Sequence, residues 1–384
     1  MRDAGSERES EKERAVLVGV SRQGRGPEKA RQSLEELRSL AEAAGAVVVG
    51  EMLQQRERPD ASYLLGKGKA KELCDRCEEL TADIVIFDQE LTPSQQRNLE
   101  ELCGRKVIDR TALILDIFAL HAHTSEGKNQ VELAQLRYLL TRLSGRGSEL
   151  SRLGGGIGTR GPGETKLEAD RRRIRRRIEH LQRELEKLEK VRAVRRKRRS
   201  KMEVLSFALV GYTNAGKSTL LNRMTKSCVP VEDKPFSTLD PTTRRIRLED
   251  GTQAVLTDTV GFIEGLPHHL IEAFKSTLEE VAGSDAVIHV IDATSQDLER
   301  RIVSVLRVLE EIGAGHIPRL DALNKIDRCD GARKRELERL FPGSLRVSAI
   351  TGEGLQELKS ALTARAALLR DTSMERRGVG ATAR

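Results

Sequence analysis

From about residue 28 to 120, short apolar runs alternate with segments whose apolar positions recur every three or four residues. Val47-Val-Val49 and Ile84-Val-Ile-Phe87 have the continuous apolar character of buried strands, whereas residues 30–43, 68–80 and 93–103 carry helical periodicity. Thr92 before Pro93 is a start signal for the third of these helices. Strands separated by helices predict a small parallel sheet. Residues 126–143 read as one helix, with Val131, Leu133, Leu136, Leu139 and Leu140 near helical spacing. A longer helix is predicted from about 164 to 200, where Ile174, Ile178, Leu181, Leu185 and Leu188 are spaced four, three, four, three. That spacing is the seam of a coiled-coil pair. At 1.5 Å per residue the helix makes an arm of roughly 55 Å. Its partner is the preceding helix, and the eight glycines within residues 145–163 form the tip of an antiparallel hairpin. Residues 1–27 and 371–384 are polar and predict disordered tails.

Charge sharpens this division. The chain has 384 residues, enough for two or three domains, and a formal net charge of +8. Between Arg171 and Lys201 stand 16 Lys or Arg against four Glu, a local balance of +12, so the remainder is near −4. A positive charge confined to one helix is how a protein meets a polyanion with one surface. The Gly-rich segment beside it adds Arg146, Arg152 and Arg160. Contact with nucleic acid is the better reading, against an ordinary solvated helix face. With no Trp and three Tyr, the chain has no aromatic stacking platform for single strands, and no DNA partner is expected.

Five scattered cysteines (Cys74, Cys77, Cys103, Cys228 and Cys329), without a secretory signal, fit a reduced cytoplasmic compartment. Cys74 and Cys77 are three apart, but no second pair completes a metal site, so they read as incidental residues of a helix. No run approaches the roughly 20 apolar residues of a membrane span. Integral membrane association is therefore not expected, and no dimer signal stands out, so a monomer is.

The chemistry lies further along. Gly211-Tyr-Thr-Asn-Ala-Gly-Lys-Ser218 is a complete phosphate-binding loop, set between a predicted strand over 204–210 and a helix opening at Lys217. The candidate cradle comprises Gly211, Tyr212, Thr213, Asn214, Ala215, Gly216, Lys217, Ser218 and Thr219. Lys217 is expected to reach the β and γ phosphates and Ser218 to place its hydroxyl on Mg²⁺. Asp258 ends a second strand and is expected to hold the metal through water, with Thr259, Val260 and Gly261 following it. The Gly261 amide is the candidate γ-phosphate sensor. Asn324, Lys325, Ile326 and Asp327 form the base-selecting motif, since a carboxylate at 327 accepts two hydrogen bonds that guanine donates and adenine lacks. Ser348, Ala349 and Ile350 are expected to close over the base. Between the first two motifs, Phe236, Ser237, Thr238, Leu239 and Asp240 are the candidate first switch, with Thr238 the second protein ligand of Mg²⁺. Lys217, Thr238 and Gly261 are the catalytic candidates, GTP the substrate and GDP the product.

Ras-type enzymes follow their Asp-x-x-Gly motif with a water-orienting Gln. Here that position is Phe262, and an apolar ring cannot orient water, so slow intrinsic hydrolysis awaiting a partner is expected. Asn214 resembles the asparagine of potassium-dependent GTPases, which makes potassium a candidate cofactor. The fold class expected is α/β. A P-loop GTPase domain with a doubly wound, mainly parallel sheet spans 204–370. A small α/β domain at 28–125 and a helical hairpin at 126–203 precede it.

Several long strings of residues go beyond a generic GTPase. They are Val107-Ile-Asp-Arg-Thr-Ala112, Glu126-Gly-Lys128, Val131-Glu-Leu-Ala-Gln-Leu136 and Gly154-Gly-Gly-Ile-Gly-Thr-Arg-Gly-Pro-Gly-Glu164. Downstream stand Asp240-Pro-Thr-Thr-Arg244, Asp258-Thr-Val-Gly-Phe262 and Leu266-Pro-His268. Together they resemble the HflX family of ribosome-associated GTPases from about residue 30 to 330. The resemblance implies a cytoplasmic factor that binds the large ribosomal subunit and its rRNA in the GTP state, splits or rescues stalled or idle ribosomes, and has its hydrolysis stimulated there. The alternative is a GTP-gated assembly or RNA-docking module that splits nothing. Thr141 stands where the family has a proline and Gly147 where it has an aromatic residue. Asp321 falls in a strand that is ordinarily apolar.

Overall fold

The structure, a computed structural model, describes residues 12–22, 27–143, 162–201, 204–227, 234–264 and 275–381. The chain divides into two compact units, Met1–Leu120 with Glu132–His180, and His121–Val131 with Leu181–Arg384. Each of the two long helices has residues in both units. Gly147 and most of the predicted glycine-rich tip lie outside the described residues, as does Leu266-Pro-His268.

The first unit is built on a parallel sheet of order β2-β1-β3-β4, with β1 Arg14–Arg22, β2 Val47–Arg56, β3 Ile84–Phe87 and β4 Lys106–Asp109. The expectation of a disordered segment over 1–27 is corrected by β1, which pairs with β2 on one side and β3 on the other. Ala15, Val16, Leu17 and Val18 are wholly buried. A strand needs only about five apolar residues, and the charged residues on either side mask so short a run in any compositional average. The covering helices are α1 Pro27–Ala43, α2 Lys67–Glu79, α3 Pro93–Cys103 and α4 Arg110–His121. Thr92 caps α3 as its sequence predicts: its hydroxyl accepts from the Gln95 amide at 3.2 Å, and the Gln95 side chain accepts from the Thr92 amide at 2.9 Å. Cys77 belongs to the core of this unit, and burial pushes its thiol up to about 11. A thiol held protonated is a poor nucleophile and a poor metal ligand.

Two helices follow, α5 Ser125–Leu143 and α6 Pro162–Lys201. Within the first unit, Tyr138 and Arg142 of α5 donate to the buried Asp109 carboxylate at the end of β4, at 2.9 and 2.5 Å. Arg177 of α6 donates twice to Glu132 of α5 at 2.7 Å. Ile174 and Ile178 are partly shielded, whereas Arg172, Arg173, Arg175 and Arg176 are exposed, so the apolar seam and the cationic face separate as the spacing requires.

The second unit holds a six-stranded sheet of order β10-β9-β8-β5-β7-β6. Its strands are β5 Leu205–Val210, β6 Thr242–Arg247, β7 Gln253–Asp258, β8 Ala286–Asp292, β9 Arg319–Asn324 and β10 Leu345–Arg346. All pairings are parallel except β6 with β7. Helices α7 Lys217–Thr225, α8 Lys275–Ala282, α9 Leu298–Glu311, α10 Gly331–Leu340 and α11 Leu355–Ala381 complete it. The last helix corrects the expected tail over 371–384, running on to Ala381. Extending an existing helix gains one hydrogen bond for each residue ordered, without a new nucleation cost. Among the described residues no helix is long and apolar enough to cross a membrane.

Asp321 gains an explanation here. It lies on β9 opposite His289 of β8, which is 1% exposed. The His289 Nδ1 and Asp321 Oδ1 atoms are 3.1 Å apart, and Arg319 donates to the same oxygen at 2.8 Å. A polar residue is tolerated in this strand because it answers a buried imidazole. Replacing it (Asp321→Val) leaves the ring without that partner and is expected to destabilise the fold by about 1–3 kcal/mol. His289→Val/Asp321→Val should recover most of the loss, because both polar groups then leave the interior. Burial lowers the His289 pKa below its ordinary value. Burial alone would raise that of Asp321, but hydrogen bonds from His289 and Arg319 outweigh it and hold the carboxyl low. Both shifts have one sign: on acidification the unfolded chain takes up protons first. The contribution of this pair to stability is therefore full above about pH 6.5 and falls below it. Urea midpoints at pH 7.5 and 5, in the native chain and both variants, measure each effect.

Candidate nucleotide-binding site

The chain leaves the C-terminal end of the central strand β5 and turns into α7 through the phosphate loop. Open parallel sheets place their ligand crevice at such strand ends, where the order of strands reverses. A cavity of about 270 Å³ opens there, lined by Thr213, Asn214, Gly216, Lys217, Ser218, Thr219, Phe236, Ser237, Thr238, Thr259, Gly261, Lys325, Arg328 and Ile350. Residues from all four predicted motifs and from the first switch thus meet at one place. Arg328, which follows Asp327 directly, is an addition; its only signal is a cation next to the base motif.

Gly216 caps α7 with φ +88°, and a side chain there would collide with the Asn324 amide. Asn324 is 2% exposed and acts as a brace. Its Nδ2 donates to the Ala215 carbonyl at 2.8 Å, and its Oδ1 accepts from the Ala349 amide at 3.0 Å. One side chain therefore holds the phosphate loop and the Ser348-Ala-Ile350 turn in register. Within that turn the buried Ser348 hydroxyl accepts from the Thr351 amide at 3.0 Å. Lys325 pairs with Asp292 at 2.8 Å; burial opposes the Asp292 charge, but this pair and the Thr294 hydrogen bonds outweigh it and lower its pKa. Asp327 stands exposed on the short 3₁₀ turn Ile326–Arg328.

The Lys217 ammonium donates to the carbonyls of Gly211 and Tyr212 at 3.2 and 2.9 Å. Burial pushes its pKa down to about 8, against the attraction of Asp258. A Cβ on Gly261 would lie 2.8 Å from the Thr213 backbone and 3.0 Å from Lys217 Nζ, so only glycine fits beside the lysine.

The Ser218 hydroxyl donates to Asp258 Oδ2 at 2.6 Å and lies 2.8 Å from the Thr238 hydroxyl. The other carboxylate oxygen, Oδ1, is buried without a protein partner, and burial raises the Asp258 pKa. Two hydroxyls and an unsatisfied carboxylate oxygen make a set of hard oxygen donors suited to Mg²⁺.

The remaining predicted residues are supports. Ala215, Leu239, Val260, Ile326 and Ala349 are buried packing residues, and the buried Thr259 hydroxyl donates to the Leu209 carbonyl at 2.7 Å. Tyr212 turns its ring under the Arg301 guanidinium, 4.8 Å from the ring centre, and its hydroxyl accepts from the Glu264 amide. Phe262 is 0% exposed, and its backbone bonds to Gly211 and Thr213. Its ring is spent on the core. The Asp240 carboxylate stays out of the cavity and bonds to Thr124 and His123.

Residues 31–119 match the family described as GTP-binding GTPase N-terminal, 121–199 GTP-binding GTPase Middle Region, and 206–325 50S ribosome-binding GTPase. The GTPase HflX of Lacrimispora saccharolytica is 52% identical over 347 residues, covering 90% of this chain and 81% of the relative. The GTPase HflX of Escherichia coli K12 is 47% identical over 355 residues, covering 92% and 83%. Among solved structures, SsGBP in complex with GDP superposes with a TM-score of 0.50 at 28% identity, over 93% of this chain and 99% of the other.

Proposed function

This chain belongs to the HflX family of GTPases, and on that premise we propose that it acts on ribosomes: GTP seats it on the large subunit and its rRNA, stalled or idle particles are split or rescued, and the ribosome stimulates hydrolysis. The observation that carries this reading is the cationic face of α6, where Arg172, Arg173, Arg175 and Arg176 are all exposed. Four adjacent guanidiniums favour a phosphate backbone over a neutral protein partner. In the cleft, Lys217 neutralises phosphate charge, the Gly261 amide faces the terminal phosphate, and Ser218, Thr238 and Asp258 are the residues that would hold Mg²⁺. That ion, when bound, would offset charge on the phosphate oxygens. With Phe262 buried, water is oriented by groups the ribosome supplies or arranges. The reading is of a cytoplasmic factor acting as a monomer.

Sucrose-gradient sedimentation tests it. Incubation of intact ribosomes with the protein and GTP should convert them to subunits; ribosomes that remain joined while the protein co-sediments would favour the docking module instead. Changing Arg172, Arg173, Arg175 and Arg176 to Glu should weaken binding to the large subunit by about 100-fold or more. It should also flatten the dependence of log affinity on log salt, by up to about 0.9 for each phosphate that the helix ceases to neutralise. An unchanged salt slope would reduce this stretch to a solvated face.

Nucleotide affinity should depend on pH through Lys217. Its pKa is about 8 in the protein, and a bound phosphate chain raises it. Binding above pH 8 therefore takes up a proton. Affinity for GDP is expected to be level from pH 6.5 to 7.5 and to fall by up to about tenfold per pH unit above 8. Fluorescence titration with a labelled GDP across that range measures it.

A further inference from the structure

Asp240 stands two residues beyond Thr238, yet its carboxylate serves another part of the same unit. One oxygen accepts from the backbone amides of Thr124 and His123 at 2.9 and 3.1 Å, and the other accepts from the Thr124 hydroxyl. All these donors belong to the entry of α5. Thr124 is the cap of that helix: its hydroxyl accepts from the Gly127 amide at 2.9 Å and its carbonyl from the Lys128 amide at 3.0 Å. Asp240 thus brings a negative charge to the positive end of α5 and satisfies the amides just ahead of its first turn. Gly127 makes room for it, since a side chain there would collide with the Asp240 carboxylate. Beside it, Glu126 pairs with Arg192 of α6 at 2.6 Å. Glu126 and Gly127 of that string therefore have physical reasons, an anchor and a clearance at one helix entry.

The other end of this short span is the cleft. The Thr238 hydroxyl lies 2.8 Å from that of Ser218, and Leu239, between Thr238 and Asp240, is 1% exposed. Two residues reach at most about 7 Å. Thr238 cannot leave Ser218 by several ångströms without pulling on a buried leucine and on the carboxylate beyond it.

We propose that Asp240 is a positioning residue that makes the order of the α5 entry depend on the nucleotide. Seating of Thr238 beside Ser218 holds the carboxylate on Thr124, and release of Thr238 lets it go. α5 is one unbroken helix from Ser125 to Leu143, so the entry that Asp240 holds is the start of a single element. The inference rests on the reading above, in which GTP draws Ser218 and Thr238 together.

Hydrogen–deuterium exchange on the full chain, loaded with GDP or with a non-hydrolysable GTP analogue, tests it. Nucleotide occupancy is measured in the same samples. Amides of residues 123–128 are expected to exchange at least about tenfold more slowly with the analogue than with GDP. Asp240→Ala should erase that difference, and Asp240→Asn, which keeps one carbonyl acceptor, should retain part of it. Gly127→Ala should also erase it while binding GDP normally, which separates the latch from the nucleotide site. Equal exchange in the two loaded states of the native chain overturns the proposal with the nucleotide site intact. A rise of the same size in both states on Asp240→Ala overturns it too, by making Asp240 a static cap. If the analogue does not bind at all, the nucleotide reading and the coupling fall together.

Discussion

Lys217→Ala lowers affinity for GDP and GTP by about a thousandfold and abolishes hydrolysis. Lys217 is 6% exposed and its ammonium is held by two loop carbonyls, so it meets a phosphate already stripped of most of its water. A unit charge about 4 Å from a phosphate oxygen is worth about 4 kcal/mol at an effective dielectric constant of 20, or about three decades in affinity. Alanine removes that attraction and leaves the phosphate charge beside a low-dielectric wall. Titration with a fluorescent GDP, alongside a circular dichroism check that the fold survives, gives the result. Affinity within tenfold of the native chain would falsify the assignment of this cleft as the phosphate site.

The second large effect is a change of base. Guanine offers two adjacent donors, a ring N–H and an exocyclic amine, and the Asp327 carboxylate is exposed to accept both. In Asp327→Asn, one acceptor becomes an NH₂ donor, which meets the exocyclic amine donor to donor. Loss of guanine affinity of about 10⁴-fold is expected, since a site built around hydrogen bonds rejects a mismatch by that order. Xanthine carries a carbonyl where guanine carries the amine, and an asparagine amide can donate to it. The same variant should therefore bind xanthosine diphosphate better than GDP. Competition between the two nucleotides for the variant measures the switch. Continued preference for GDP would place base recognition elsewhere.

The nucleotide cleft was legible because phosphate chemistry is contiguous. A loop that wraps phosphates must be glycine-rich, must end in Lys and Ser, and must lie between a strand and a helix. Each of those features is a statement about neighbouring residues. Thr92 was legible for the same reason, a cap and its Gln95 partner being three residues apart. What failed depends on distance. β1 escaped because Ala15-Val-Leu-Val18 looks like any short apolar run until strands on both sides bury it. Asp321 made no sense without His289, 32 positions earlier and one strand away. Asp240 read as part of the cleft because its neighbours in sequence are there, while its hydrogen bonds go to residues 116 and 117 positions before it. The outward path of the Arg172–Arg176 face, by contrast, followed from helical spacing alone.

By itself, then, the order of residues determined the chemistry of this protein: a guanine-nucleotide site, its metal-suited oxygens, the buried Phe262 in place of a water-orienting Gln, and a cationic helix. These are local patterns, and local patterns survive translation into one dimension. Only the tertiary structure decided which groups are braces and which are free to meet a ligand. Asn324 became the strut between two loops, Tyr212 turned away under Arg301, and Asp240 seated on a helix entry far back in the chain. Those roles are set by donors and acceptors that folding brings within 3 Å, and sequence spacing carries no record of such meetings.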